Sequence, residues 1–141
     1  MTTRSATARY EGFGKTGKGQ LTSPSGVLDA TPYSFNTRFG DEKGTNPEEL
    51  IAAAHAGCFT MALSFALAGA GFSEGNLETT AKVTLEADGP GFTVTRSDLD
   101  LVATIEGIDE AQFASLADEA KANCPISKLL NAEITLSRRL A

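Results

Sequence analysis

Apolar residues are densest between Leu50 and Phe72, in the run LIAAAHAGCFTMALSFALAGAGF. Ala56 to Phe72 carries no charge, and apolar residues fall on nearly every helical face. This pattern predicts a long helix that needs cover all round. Asn46 suits the N-cap, Pro47 the first helical position, and Glu48 and Glu49 the first turn. Glu49 stands at the capping-box spacing from Asn46, and Gly69 to Gly71 stop the helix. At 1.5 Å per residue the helix is about 34 Å long. A compact chain of this size is about 37 Å across, so the helix would span it.

The flanking segments follow other periods. Upstream, glycines and prolines divide residues 6–36 into short runs, ATARYEGF, KGQLTS and PYSFNTRF, which predicts a meander of short strands. Arg38 is read at the end of the last of these strands, and GDEKGTN as a polar loop. Downstream, Ala81, Val83, Leu85 and Ala87 alternate with Lys82, Thr84 and Glu86. After Asp88-Gly89-Pro90-Gly91 the alternation resumes through Leu99, Leu101, Ala103 and Ile105. This predicts an antiparallel hairpin with one wet face. A second helix is expected from Asp109, with Gln112 at the box position and an apolar stripe through Phe113, Leu116, Ala117 and Ala120. A short helix over 125–131 and a last strand over 132–140 complete the chain. One sheet and one amphipathic helix cannot easily hide the central helix, so a second subunit is expected to cover part of it.

Length and charge narrow the function classes. The 141 residues fit one domain, 1–141, able to bury about 68 % of its unfolded surface. The net charge is −6, with Lys and Arg scattered singly. That leaves no electrostatic footprint for nucleic acid and no basic amphipathic helix for an anionic membrane. The apolar run is too rich in Ala, Gly, Ser and Thr, and lacks the basic flank, expected of a membrane span. The N-terminal MTTRSATARYEGFG has no apolar core, so no signal peptide is expected. A cytoplasmic setting follows, in which paired cysteines serve catalysis or sensing rather than architecture.

The chain has two cysteines and one histidine. Cys58 lies three residues after His55, on the same helical face. Cys124 precedes Pro125 at the expected start of a short helix, where unpaired amides and the helix dipole favour a thiolate. Each could equally be a buried, unreactive thiol. His55 is expected to orient or pack rather than to catalyse. A metal site from His55, Cys58 and Cys124 is a weaker reading, because no compact ligand pair is present. Ionisation alone contributes little. An ordinary thiol is already about 3 % thiolate at pH 7, so full ionisation gains only about thirtyfold. Larger acceleration must come from placing substrate and stabilising charge on the leaving oxygen. Arg38, bracketed by Phe35 and Phe39, is the candidate for that task, with Glu48 or Glu49 as its carboxylate partner.

With these residues in hand, the sequence resembles the OsmC subfamily of the OsmC/Ohr peroxiredoxin-like proteins over essentially its whole length. The matching segments are Pro32-Tyr33-Ser34-Phe35-Asn36-Thr37-Arg38-Phe39, Glu42 to Ile51, Ala54-His55-Ala56-Gly57-Cys58-Phe59, Cys124-Pro125-Ile126-Ser127 and Ala132 to Leu136. The resemblance implies an α+β fold, an intertwined homodimer with antiparallel sheets around long central helices. It implies a peroxidase that reduces organic hydroperoxides, and hydrogen peroxide more weakly, in the response to oxidative or osmotic stress. Cys58 would attack the peroxide and Cys124 would resolve the product as a disulfide. Arg38 would orient the peroxide, and Glu48, ten residues before the nucleophile, would pair with it. A dithiol, lipoyl groups included, would restore the enzyme, with no metal or bound cofactor needed. The competing reading is a peroxide-sensing or small-ligand-binding dimer without turnover.

Overall fold

The computed structural model describes residues 1–141. Its contacts fall into two compact units, 1–50 and 51–141.

In the first unit, β1 (Thr7–Glu11), β2 (Lys18–Thr22) and β3 (Thr31–Tyr33) form an antiparallel sheet in that order. The expected meander is therefore present. Two of its glycines are needed for close approach. The Tyr10 ring lies over Gly17 and the Tyr33 ring over Gly19, and a Cβ at either position would overlap the ring. The two rings meet edge-on, with centroids 6.0 Å apart.

Arg38 is not at the end of a strand. Phe35–Phe39 forms a short helix, α1. The reason is a capping box that the strand reading overlooked. The Ser34 hydroxyl accepts from the Thr37 amide at 3.2 Å, and the Thr37 hydroxyl accepts from the Ser34 amide at 2.7 Å. Both ends of this turn are thereby satisfied locally.

Helix α2 (Pro47–Gly69) begins as the sequence predicts. Asn46 Oδ1 accepts from the Glu49 amide at 2.8 Å, and the Asn46 side-chain amide donates to the Thr37 carbonyl at 3.1 Å. The Glu49 carboxylate does not close a capping box. It accepts from the Thr45 hydroxyl at 2.8 Å.

The second unit holds most of α2, a second sheet, and two helices, α3 (Glu110–Asn123) and α4 (Pro125–Leu129). Strands β4 (Gly75–Asp88) and β5 (Gly91–Ile105) form the predicted hairpin. Gly89 opens its two-residue turn at φ 59°, a conformation most side chains resist. Thr95 is an extra residue in the pairing, because Thr84 faces Arg96 while Leu85 faces Val94. Strand β6 (Glu133–Leu140) lies parallel to β5, since α3 and α4 carry the chain back before it re-enters the sheet. The sequence reading had one sheet to cover the helix. The chain instead divides its strands between two three-stranded sheets.

Asp109 caps α3 through the Gln112 amide at 2.8 Å, and Phe113, Ala117 and Ala120 face inward as predicted. They join Phe59, Leu63 and Leu67 of α2 and Leu99, Leu101 and Ala103 of β5 in one core that ends at Cys124. Both helices thus pack on the same face of the sheet. The opposite side of α2 is bare. Met61 is 62 % exposed and Phe65 72 %, and only 22 % of the helix's most apolar stretch is buried. By length and composition alone this helix could cross a membrane.

Candidate active site

Four predicted site residues fall into two pairs, one in each unit. In the first unit, Arg38 Nε donates to Glu48 Oε1 and Nη2 to Glu48 Oε2, both at 2.8 Å. This bidentate geometry needs two donors fixed in a plane, which only a guanidinium supplies. Hydrogen bonding to Glu48 raises the Arg38 pKa above its ordinary value, against a smaller opposing effect of burial. The cation is therefore permanent. Arg38 also lies 5.5 Å from the centre of the Phe39 ring, itself 5.0 Å from Phe35. A cleft of about 300 Å³ opens here, lined by Tyr10, Tyr33, Phe35, Arg38 and Phe39 among others. It offers a cation within aromatic walls.

In the second unit, Cys58 and Cys124 are both free thiols, Cys58 half-buried and Cys124 fully buried. Their sulfurs lie within hydrogen-bonding reach of each other. Cys58 reaches this point from the middle of α2. Cys124 reaches it from the junction of α3 and α4, where its extended backbone (φ −55°, ψ 129°) serves as C-cap to one helix and N-cap to the next.

Their environments differ in sign. Burial pushes the Cys58 thiol up, and the Cys124 sulfur pushes it further, with only the Ile126 amide opposing. Burial also pushes Cys124 up. There it is outweighed by a hydrogen bond from Cys58, the amide and hydroxyl of Ser127, and the Ile126 amide, so Cys124 falls below the ordinary thiol range. The amides approach the sulfur without making a full capping hydrogen bond, and act chiefly through their dipoles. Of the two, Cys124, the less accessible sulfur, is therefore the more readily ionised.

His55 is fully buried, and both ring nitrogens are occupied. Nδ1 lies 2.6 Å from the Ser97 hydroxyl and Nε2 2.8 Å from the Ser127 hydroxyl. Burial lowers its pKa, so the ring is neutral. With both nitrogens committed to serines, it does not join the thiols as a metal ligand. Sequence reasoning assigned no role to either serine, although both left a signal. Ser97 occupies an inward position of the Leu99–Leu101–Ala103 alternation, where a polar residue needs an internal partner. Ser127 stands three residues after an N-cap, the spacing at which a side chain returns to the cap. Phe59, beside Cys58 in α2, is fully buried in the core.

The family description for OsmC-like proteins matches residues 40–138, from the loop before α2 to the last strand. The chain belongs to the OsmC-like protein family. It is 51 % identical to Peroxiredoxin OsmC of Escherichia coli K12 over 133 residues, covering 94 % of this chain and 93 % of that protein. It is 32 % identical to the organic hydroperoxide resistance protein OhrB of Bacillus subtilis, covering 86 % and 88 % of the two. The crystal structure of OhrB superposes with a TM-score of 0.70 at 30 % identity, covering 99 % of this chain and 98 % of that one. The α+β OsmC/Ohr fold expected from the sequence is thus the fold observed.

Proposed function

We propose that this OsmC-family chain is a thiol-dependent peroxidase that reduces organic hydroperoxides through Cys58 and Cys124. The observation that carries the reading is the contact of two free thiols from distant parts of the chain, one accessible and one buried. Access selects the attacker. Cys58 passes its proton to the Cys124 thiolate across their hydrogen bond and attacks the distal peroxide oxygen. The O–O bond breaks, and its electron pair leaves with the alkoxide, which is protonated to alcohol. Cys58 becomes a sulfenic acid. Cys124 then attacks the Cys58 sulfur, hydroxide leaves as water, and a disulfide forms. A dithiol, lipoyl groups included, restores both thiols at the cost of its own oxidation.

In this reading Arg38, held by Glu48, binds the peroxide and stabilises the departing oxygen. The aromatic residues around Arg38 suit an apolar peroxide tail. The reaction belongs in the cytoplasm, where reduced dithiols are maintained. One equivalent of tert-butyl hydroperoxide is expected to consume both thiols and leave an intramolecular disulfide, with catalytic turnover once a dithiol is supplied. Cumene hydroperoxide should react with a higher kcat/KM than hydrogen peroxide. A slow stoichiometric reaction that no dithiol recycles would instead favour the peroxide sensor, and unreactive thiols would overturn both readings.

The reading includes a homodimer, supported by the bare side of α2. Covering a side chain such as Phe65 contributes about 1.5–3 kcal/mol, gained twice in a symmetric pair. Beside it, Thr60, Ser64, Leu67, Ala68 and Phe72 line a cleft of about 620 Å³ that a second copy would close. Light scattering at micromolar concentration is expected to give a dimer, and Phe65→Asp to dissociate it. A stable wild-type monomer would remove the dimer from the reading.

A further inference from the structure

The mechanism above leaves a buried histidine unused. His55, Ser97 and Ser127 form a continuous chain of hydrogen bonds, and Ser127, on the first turn of α4, bears on the Cys124 sulfur at the cap of that helix. Three elements contribute: α2, β5 and α4. The group is buried throughout, with His55 and Ser97 fully so. A polar chain in such a place has few alternative partners, so its internal direction is constrained.

That direction follows from donor counting. A neutral imidazole donates from one nitrogen and accepts at the other. One serine must therefore donate to the ring and the other must accept from it. A thiolate can only accept. When Cys124 carries the negative charge, the Ser127 O–H points at the sulfur, and the Ser127 oxygen is left to accept from His55 Nε2–H. Nδ1 must then accept from the Ser97 hydroxyl. Every group is satisfied in this one arrangement. In the disulfide the Cys124 sulfur is a poor acceptor. The chain can then run the other way, with Ser127 donating to Nε2 and Nδ1–H donating to Ser97.

We infer that Ser127, aligned by His55 and Ser97, is a positioning residue that stabilises Cys124 as the leaving sulfur when the Cys58–Cys124 disulfide is reduced. The inference rests on the peroxidase reading and assigns a task within it. The thiolate of a reducing dithiol attacks Cys58, the sulfur with access to solvent. A bond forms between them, the Cys58–Cys124 bond breaks, and its electron pair stays on Cys124. The second thiol of the reductant then displaces Cys58 and closes the reductant's own disulfide. The protein gains two electrons and the dithiol loses two. Thiol–disulfide exchange quickens as the leaving sulfur becomes a more stable thiolate. The serine hydroxyl, already directed by the histidine, is in place before the bond breaks.

The test separates recycling from peroxide reduction. Preformed disulfide is mixed with dithiothreitol, and its reduction is followed in a single turnover. Losing a hydrogen bond to a charged sulfur should slow Ser127→Ala about threefold to tenfold. The exchange equilibrium should shift toward disulfide by about tenfold, or about 30 mV. Ser127→Thr, which keeps the hydroxyl, should recover most of the rate. Oxidation of the reduced protein by tert-butyl hydroperoxide, compared on the high-pH plateau of each protein, should change less than about twofold in Ser127→Ala, because the base for Cys58 is then available in both. A purely structural serine would move both steps together or neither. Nitrogen-15 NMR of the wild-type protein gives an independent reading, free of any folding defect in a variant. His55 should be the Nε2–H tautomer in the reduced protein. Wild-type recycling in Ser127→Ala, or an Nδ1–H tautomer in the reduced protein, overturns the inference. If the wild-type protein forms no disulfide with peroxide, the peroxidase reading fails first and this one with it.

Discussion

Cys58→Ser is expected to lose at least about 10⁴-fold in peroxidase turnover, because a serine hydroxyl in this setting is not a usable nucleophile toward peroxide. Cys124→Ser should behave differently. It keeps the attacking sulfur and should still be oxidised by one equivalent of peroxide. Without a partner, its sulfenic acid should accumulate and proceed to the irreversible sulfinic acid under excess peroxide. Mass spectrometry distinguishes the two by the number of oxygens added. The pH dependence is expected to part them as well. Cys124 ionises below the ordinary thiol range, and in the proposed reaction it supplies the base for Cys58. The wild-type oxidation rate should therefore rise with pH and level off early. In Cys124→Ser, burial alone still raises the Cys58 thiol, so the rise should move to higher pH. Oxygen addition to Cys58→Ser at the wild-type rate would exchange the roles of the two cysteines.

Arg38→Lys is expected to lower kcat/KM for organic hydroperoxides by about 10²-fold while changing stability little. The activity loss follows from geometry. Lysine keeps the charge but cannot bind Glu48 through two parallel donors, so it cannot be held in a fixed orientation toward the departing oxygen. The small stability effect follows from exposure. The Arg38 and Glu48 side chains are 35 % and 13 % exposed, and solvent screening keeps a pair of this kind to less than about 1 kcal/mol. Steady-state kinetics and thermal unfolding of one preparation test both halves. Activity within about threefold of wild type would remove Arg38 from the chemistry. A large loss of stability would make its role structural.

Local signals account for what could be read directly. The cap at Asn46, the start of α3 at Asp109 and the two-residue turn opened by Gly89 each depend on residues within a few positions of one another. A five-residue element such as α1 is harder to read, because its aromatic residues suit a strand as well as a helix. What decided it was a reciprocal Ser34–Thr37 cap. The uncovered face of α2 was visible as an absence of polar residues, and the structure leaves that face bare within one chain. The pairing of β6 was hidden, since strand direction depends on the path that α3 and α4 take between strands.

The sequence by itself determined which groups were available: two thiols, one imidazole, a guanidinium between phenylalanines, and a helix start with two carboxylates. It also determined their local settings, because helix spacing and N-cap preference act over three or four residues. The resemblance already pointed to Glu48 as the partner of Arg38 and to Cys124 as the partner of Cys58; only the tertiary structure decided the two-donor geometry of the first pair, the unequal burial of the second, and the tie from His55 to Ser127 beside the buried sulfur. Those choices depend on where elements distant in sequence come to rest when their apolar faces are buried. Burial also decided the electrostatics, since the same desolvation acts on both thiols and only Cys124 has donors enough to outweigh it.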